Sequence, residues 1–192
     1  MLRAWLAVAL DSAAPASLVQ RLLRELPGAG PAAWLVGGVT LRRHRGRLSC
    51  ASTPAVSSPA PPTVELRLLG PGRYELPGWG GQLRVERVRE GGVAASALLC
   101  VQVRVREGGE RFQSGAGRPP RSLKKQYQAA GLPAWERDGP LIYSADRLVY
   151  ASGLGIDARC IARPGEPQLT LEWTRDSGAP GVSTAGKRKG RR

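Results

Sequence analysis

The run VQVRVRE at residues 101–107 places the strongest single constraint on the fold. Its three valines occupy every second position, and each is followed by a polar residue: Gln102, Arg104 or Arg106. A repeat of two residues puts the valines on one face of a β-strand and the polar side chains on the other. The chain must therefore build a sheet with one buried face. Three further strand candidates, separated by glycine-rich turns, lie at residues 64–69, 73–77 and 82–88, and a last one lies at residues 169–173.

Helical patterns accompany these strands. Residues 1–10 and 16–26 carry leucines at helical spacing. A third, shorter helix follows the sheet pattern, with Ser122 at its start and Gly131 at its end. The predicted fold class is α+β: a small N-terminal helical piece with a β-hairpin extension, then a compact C-terminal domain of strand, helix, hairpin and strand.

Two hairpins have recognisable turns. Arg45–Gly46 divides the run VTLRRHRGRLSC at residues 39–50, and Ala145–Asp146 divides the run PLIYSADRLVYASG at residues 140–153. The Ser/Pro/Ala-rich stretch STPAVSSPAPPT reads as a linker or long loop. We therefore divide the chain into a helical and hairpin region, a Pro-rich linker with short strands, the C-terminal domain, and a disordered basic tail, at residues 1–51, 52–97, 98–175 and 176–192.

The opening MLRAWLAVALDSAAPA has two interpretations. One arginine followed by a short apolar run resembles a signal peptide, but the run at residues 4–10 is short and contains Trp5. Leu2, Leu6 and Leu10 share one helical face, so we favour a helix. No stretch has the length needed to cross a membrane.

Cysteine usage indicates the cytoplasm. The three cysteines are widely separated and odd in number: Cys50, Cys100 and Cys160. This pattern favours reduced thiols over a disulfide framework. His44 is the only histidine, so we expect no zinc site.

No catalytic set emerges from the sequence. There is no G-x-x-x-x-G-K-[ST] loop and no S-G-G-x-D-S motif of the adenylating ATP-pyrophosphatases. The G-x-G at residues 153–155 has no third glycine and is interpreted as a turn. We therefore predict no catalytic residue and no metal ligand in this chain.

The charge indicates an anionic partner. The formal net charge is +14, which attracts polyphosphate chains and anionic surfaces. Residues 101–137 hold eight cations against three acids. These cations, the candidate RNA contacts, are Arg104, Arg106, Arg111, Arg118, Arg121, Lys124, Lys125 and Arg137. Composition alone leaves an ordinary solvated face equally open, and an arginine-rich usage is also typical of a GC-rich genome.

Three further features bear on this surface. Lys124 and Lys125 fall in the first turn of a helix, where the dipole disfavours cations unless an anion docks there. Arg43 and Arg45, in the run RRHRGR, are predicted as additional RNA contacts on a hairpin. Trp135 is a candidate for base stacking, although a buried anchor at the exit of the helix is the favoured alternative.

Four motifs in order resemble one known family. They are R-x-R-x-G-G-E-R-F, G-R-x-x-x-S-L-K-K-x-x-Q, G-L-P-A-W-x-R-D-x-P-L-I-Y and L-V-Y-x-x-G-L-G-I-D, at residues 104–112, 117–128, 131–143 and 148–157. Their order and spacing are similar to the C-terminal domain of bacterial tRNA(Ile)-lysidine synthetase. The start of the chain, with LRAWLA, a Leu-rich helix and LRRHRGRL, resembles the substrate-binding region that precedes this domain in the family.

The resemblance implies a function. The family's enzyme joins lysine to the wobble cytidine, C34, of an isoleucine tRNA with a CAU anticodon, using ATP and magnesium. Its chemistry lies in an N-terminal domain with S-G-G-x-D-S, and its C-terminal regions grip the tRNA. The resemblance assigns that grip to the cations between Arg104 and Arg137. Met1 matches an interior position of the family, so we expect this chain to bind tRNA, to need no cofactor of its own and to be inert alone as a ligase.

Two other functions stay open. The chain can be a stand-alone basic RNA-binding module, or a protein-interaction module whose basic face meets an acidic partner. A separate catalytic domain and a second copy of the chain also stay open as partners. A membrane is not expected as a partner.

Overall fold

The structure is a computed structural model that describes residues 1–28, 30–52, 61–76 and 78–176. The described residues form two compact units, one ending at residue 52 and the other beginning at residue 61. Residues 53–60, most of the Ser/Pro/Ala-rich stretch, and nearly all of the predicted basic tail lie outside the described residues. The fold class predicted from sequence, α+β, is confirmed.

The first unit is a helical pair followed by a three-stranded sheet. Its elements are α1 (Leu2–Leu10), α2 (Ala16–Glu25), β1 (Ala32–Val36), β2 (Val39–His44) and β3 (Arg47–Ser52). Leu6 and Leu22 are fully buried, in a core shared with Trp34 and Leu41 of the sheet. The leucines recur at helical spacing because one face of each helix is buried against the sheet, and this spacing predicts both helices correctly.

The sheet of the first unit is an antiparallel meander in the order β1-β2-β3. Arg45 and Gly46 connect β2 to β3 with φ angles of 48° and 72°. Two consecutive residues in this left-handed region form a tight hairpin turn, and glycine adopts it without steric cost. The predicted Arg45–Gly46 turn is confirmed.

The second unit contains eleven of the strands and the third helix. Its elements are β4 (Val64–Leu66), β5 (Gly72–Leu76), β6 (Gly81–Val88), β7 (Val93–Ala94), β8 (Val101–Arg104), β9 (Arg111–Phe112), β10 (Arg121–Ser122), α3 (Leu123–Ala130), β11 (Leu141–Ser144), β12 (Arg147–Ala151), β13 (Gly155–Ile156) and β14 (Gln168–Arg175). They form a four-stranded sheet in the order β5-β6-β14-β7, a five-stranded sheet in the order β13-β12-β11-β8-β4, and a two-stranded ribbon of β9 and β10.

The two large sheets pack face to face over the main core of the second unit. Val103 and Ile142 are paired across β8 and β11 and are fully buried there, together with Leu83 of β6. The burial of alternate residues in β8 confirms that VQVRVRE is a strand with one apolar face. The strand ends at Arg104, which pairs with Leu141, because Pro140 would come next in the partner strand and a proline has no N–H to continue the ladder.

The opposite face of the five-stranded sheet is covered by α3 and the ribbon. Phe112, Leu123 and Tyr127 are buried there against Leu141 and Leu148. The second unit therefore has three layers: the four-stranded sheet, the five-stranded sheet, and a cover of helix and ribbon. This cover contains most of the cations predicted as RNA contacts between residues 106 and 125.

The segment at residues 64–94 contributes β4, β5, β6 and β7 to the two sheets. From sequence, the same residues are placed outside the C-terminal domain, as short strands in a linker region. Their pairing is long-range: β6 aligns with β14 over eight residues, from Gln168 opposite Val88 to Arg175 opposite Gly81. A local sequence pattern holds no information on this pairing, since the partners lie 80 to 94 positions apart in the chain.

Candidate nucleic-acid interface

The spacing of the buried residues in helix α3 leaves its two lysines exposed. Leu123, Gln126 and Tyr127 point inward and are buried, and Gly131 ends the helix in a left-handed conformation. Positions i, i+3 and i+4 lie on one side of a helix, so Lys124 and Lys125 are left exposed. Ser122 occupies the N-cap position as predicted, but its hydroxyl makes no capping hydrogen bond.

Buried polar contacts fix the helix on the sheet. The Gln126 side chain donates to the carbonyl of Phe112 at 2.7 Å and accepts from the Ser114 hydroxyl at 2.6 Å. The Tyr127 hydroxyl donates to the carbonyl of Ser152 at 3.0 Å, and burial raises the pKa of this tyrosine to about 12. The lysines therefore project from a helix whose orientation is set by hydrogen bonds as well as by packing.

Glu110 folds the glycine loop between β8 and β9. Its carboxylate accepts hydrogen bonds from the backbone N–H of Glu107 at 2.7 Å and of Gly108 at 2.9 Å. The carbonyl of Glu110 accepts from the backbone N–H of Leu123 at 2.9 Å, which ties the loop to the start of α3. The negative charge of Glu110 is thus engaged by amides of its own loop and not by a neighbouring arginine.

Five of the predicted cations within residues 101–137 are exposed and form neither an ion pair nor a side-chain hydrogen bond in the described part of the chain. They are Arg106, Arg118, Arg121, Lys124 and Lys125. All five lie in residues 106–125, the segment that runs from the end of β8 through the ribbon into α3. We call this set the basic surface.

Arg111 lies beside the basic surface. It is exposed, pairs with Ser122 in the ribbon, and donates from Nη2 to the carbonyl of Pro120 at 2.9 Å. This bond occupies one of the donors of its guanidinium and leaves the others facing outward.

Arg104 is engaged with the β11–β12 hairpin. Its Nη2 lies 2.7 Å from Oδ1 of Asp146, and its Nε donates to the Gln102 side chain at 2.9 Å. The guanidinium carbon lies 4.6 Å from the centre of the Tyr143 ring. Arg104 therefore orients the turn of the hairpin, and its charge is already compensated.

Arg137 and Trp135 lie at the exit of α3. Arg137 donates from Nε to the carbonyl of Leu132 at 2.9 Å, and its guanidinium carbon lies 6.0 Å from the centre of the Tyr127 ring. Trp135 is half-buried in the short 3₁₀ helix Ala134–Glu136. Both residues are integrated into the turn, and the stacking role of Trp135 stays a prediction.

The structure corrects the placement of Arg43. Its side chain is 8% exposed, and its guanidinium donates to the carbonyls of Glu25 and Leu26 and, at 3.0 Å, of Gly30. These are acceptors at and just beyond the C-terminal end of α2 that have no partner within the helix. Arg43 therefore caps a helix and does not belong to an exposed patch. Arg45, at the tip of the hairpin, is exposed.

Sequence reasoning missed a buried charge in the second unit. Asp157 is fully buried, and its two carboxylate oxygens accept from Nε of Arg159 at 2.9 Å and Nη2 of Arg159 at 2.7 Å. They also accept from the backbone N–H of Arg159 at 2.9 Å and of Gln113 at 3.2 Å. The aspartate of the G-L-G-I-D motif thus joins the segment after β13 to the segment after β9. Asp157 also raises the pKa of Arg159 by hydrogen bonding to its guanidinium.

The described residues offer neither a cluster of metal ligands nor a membrane-spanning helix. Among the described residues, no three His, Cys, Asp or Glu side chains are grouped so that they could hold a metal ion. None of the helices in the same residues is long and apolar enough to span a bilayer.

Comparison with known proteins agrees with the motifs. Residues 101–173 match the family model described as the TilS substrate C-terminal domain. The chain is 36% identical to a tRNA(Ile)-lysidine synthase of Ralstonia nicotianae over 84% of its length, and 31% identical to one of Nitrosomonas europaea over 90% of its length. It spans 37% and 38% of the length of these two relatives.

A solved structure is also similar. The crystal structure of a TilS C-terminal domain aligns with a TM-score of 0.45 and 23% identity, and the alignment covers 60% of this chain and 99% of that one. The resemblance found in the sequence is confirmed by the family model and the curated relatives: through residues 101–173, the chain belongs to the family of TilS substrate C-terminal domains of tRNA(Ile)-lysidine synthases.

Proposed function

We propose that the chain is a tRNA-binding part of a tRNA(Ile)-lysidine synthetase and that the basic surface of its second unit contacts the phosphate backbone of the tRNA. The observation that carries the proposal is the set of exposed cations at residues 106–125 without carboxylate partners. It lies on the cover layer of the domain that matches the family. A cation without a protein partner is free to replace the counterions of a phosphate.

Backbone contact suits the composition of this surface. Arginines and lysines on a ribbon and a helix provide donors to phosphate oxygens, which fix orientation without reading sequence. The start of α3 adds the positive end of a helix dipole beside Lys124 and Lys125. An anion bound there would offset the electrostatic repulsion between the two lysines and the positive end of the helix dipole.

The wider activity is part of the same proposal. The synthetase joins lysine to C34 of the isoleucine tRNA with a CAU anticodon, with ATP and magnesium held by other residues of the enzyme in the cytoplasm. The present chain contributes affinity and orientation, and no catalytic group. Selection of the wobble base then depends on the catalytic part of the enzyme.

A binding titration tests the proposal. Isoleucine tRNA with a CAU anticodon and an unrelated tRNA are titrated with the purified chain over a salt series. If four to six phosphates are contacted, log K falls by about four units or more per decade of salt. The Lys124→Ala/Lys125→Ala variant reduces the salt slope by about one to two units, because each lost phosphate contact removes about one unit.

A charge-matched control distinguishes a specific role of the basic surface from a general effect of net charge. Arg73 and Arg87 are exposed on β5 and β6, in the four-stranded sheet, which the five-stranded sheet separates from α3 within the second unit. The Arg73→Ala/Arg87→Ala variant has the same net charge as the lysine variant and is expected to keep most of the slope. Equal losses in the two variants, or no tRNA binding at low salt, would refute the role of the basic surface.

A further inference from the structure

A second group of arginines lies beside the turn of the β11–β12 hairpin, and the basic surface does not include it. An open groove of about 500 Å³ is lined by Arg111, Arg147 and Arg159. An adjoining groove of about 570 Å³ is lined by Arg147, Arg159 and Arg163. The two grooves adjoin at Arg147 and Arg159, which line both, and we call the pair the arginine groove.

The acids along the arginine groove are engaged by other donors. Glu110 accepts from the amides of its own loop, and Asp146 pairs with Arg104. Glu166 accepts from the backbone N–H of Arg163 at 2.8 Å. Within the described residues, the Arg147 and Arg163 side chains are exposed and form no ion pair. Arg111, Arg147 and Arg163 therefore lie along the groove without a carboxylate partner among the described residues, whereas Arg159 is paired with Asp157.

Arg159 is held rigidly at the middle of the groove. The buried Asp157 binds its Nε and Nη2, and Nη2 also donates to the carbonyl of Arg111 at 2.8 Å. A guanidinium fixed in this way loses little conformational entropy when it binds an anion with its outward edge.

Apolar side chains accompany the charges. Tyr143 lines the part of the groove near Arg111, and Val149 and Ile161 line the part near Arg163. Ile161 is 44% exposed. A ligand that fills this trough must therefore offer both phosphates and apolar faces.

We propose that the arginine groove binds a single-stranded segment of RNA, with its phosphates on Arg147 and Arg163 and its bases against the apolar side chains. The inference rests on the proposed function, because it concerns an unpaired extension of the RNA that the basic surface holds. A single strand offers phosphates and unstacked bases together. A duplex hides its base faces within the stack and would leave the exposed Ile161 without an apolar partner.

The test compares two RNA hairpins that differ only in a single-stranded overhang of four nucleotides. Binding of the complete chain to each is measured by fluorescence anisotropy at several salt concentrations. Wild-type protein is expected to bind the overhang hairpin about tenfold more tightly, with a salt slope steeper by about one to two units, since each phosphate of a single strand contributes about 0.7. The Arg147→Ala/Arg163→Ala variant is expected to lose this gain and to bind the blunt hairpin like wild type. Neither side chain makes a hydrogen bond in the described structure, so the fold should not depend on them.

Each result decides a separate point. The proposal for the groove is refuted if the overhang does not increase the affinity of the wild-type protein. It is also refuted if the increase persists in the Arg147→Ala/Arg163→Ala variant. An equal loss for both hairpins also overturns it, because the arginines would then be general backbone contacts. A gain retained by the Arg73→Ala/Arg87→Ala control and lost by the groove variant supports it. Failure of the proposed function has a different signature: the blunt hairpin does not bind, while an isolated single strand still binds in an Arg147- and Arg163-dependent manner.

Discussion

Replacement of Asp157 by asparagine is the sharpest test of how the second unit is held together. The change keeps the size of the side chain and removes its charge. Asp157 Oδ1 accepts from the backbone N–H and Nε of Arg159, and Oδ2 accepts from Nη2 of Arg159 and the backbone N–H of Gln113. Whichever oxygen becomes the amide nitrogen, two N–H donors then face an NH₂ group.

The cost follows from these contacts. In each orientation of the new amide, one backbone N–H and one guanidinium N–H lose their acceptor. An unpaired buried donor costs about 1–3 kcal/mol. The Arg159 side chain is 38% exposed, so water replaces part of its lost bond, and its share is at most about 1 kcal/mol. We expect Asp157→Asn to lower the free energy of unfolding by about 1–4 kcal/mol.

Asp146 provides the matched control, since it also pairs with an arginine. Its side chain is 87% exposed, and its backbone has a φ of 61°, which asparagine tolerates. Asp146→Asn should therefore cost less than about 1 kcal/mol. Urea unfolding followed by tryptophan fluorescence measures both. Equal costs for the two substitutions would show that burial of Asp157 does not determine its contribution and would refute the reasoning.

Three further predictions concern other groups. Burial raises the pKa of Tyr127 and of Tyr150 from 10.0 to about 12, so folding retains these protons; stability should be complete below about pH 10 and fall towards pH 12 by up to about 2–3 kcal/mol per tyrosine, and phenylalanine at either position should flatten the fall in urea midpoints. Arg43→Ala should destabilise the chain by about 2–3 kcal/mol in the same urea assay, while Arg47→Ala on the neighbouring strand should stay within about 0.5 kcal/mol. Glu110→Ala should speed hydrogen exchange of the two loop amides that it binds by about tenfold, because their acceptor is removed; unchanged exchange would contradict its role in the loop.

The elements of this fold were accessible from sequence wherever one face is apolar. The valines of β8 and the leucines of α1 and α2 repeat with the period of their element because one side of each is buried. The turns at Arg45–Gly46 and Ala145–Asp146 were also accessible, since each has a glycine or an aspartate, residues that tolerate left-handed φ, between two strand-like runs.

The direction of a side chain in a uniformly polar strand was not accessible. In RRHRGR nearly every position is basic, so no alternation indicates which residues face the helices. The structure buries Arg43 because α2 ends against that side of the sheet and offers it carbonyl acceptors. Likewise, no local pattern links Arg147 to Arg163, since the chain between them contains β12, β13 and the turn fixed by Asp157.

The position of β14 in its sheet has a consequence for biosynthesis. β14 lies between β6 and β7, so the last strand of the second unit fills an interior place in the four-stranded sheet. A ribosome that has translated as far as residue 167 has made β5, β6 and β7 but not the strand that joins them. Until then one edge of β6 lacks its partner, and the apolar residues beneath it, Leu83 and Val85, lack Leu169 and Leu171 as neighbours. The unpaired edge of β6 in a nascent chain therefore stays open to aggregation until the last strand of the domain has been synthesised. Until then it must be protected by chaperones or by the ribosome itself.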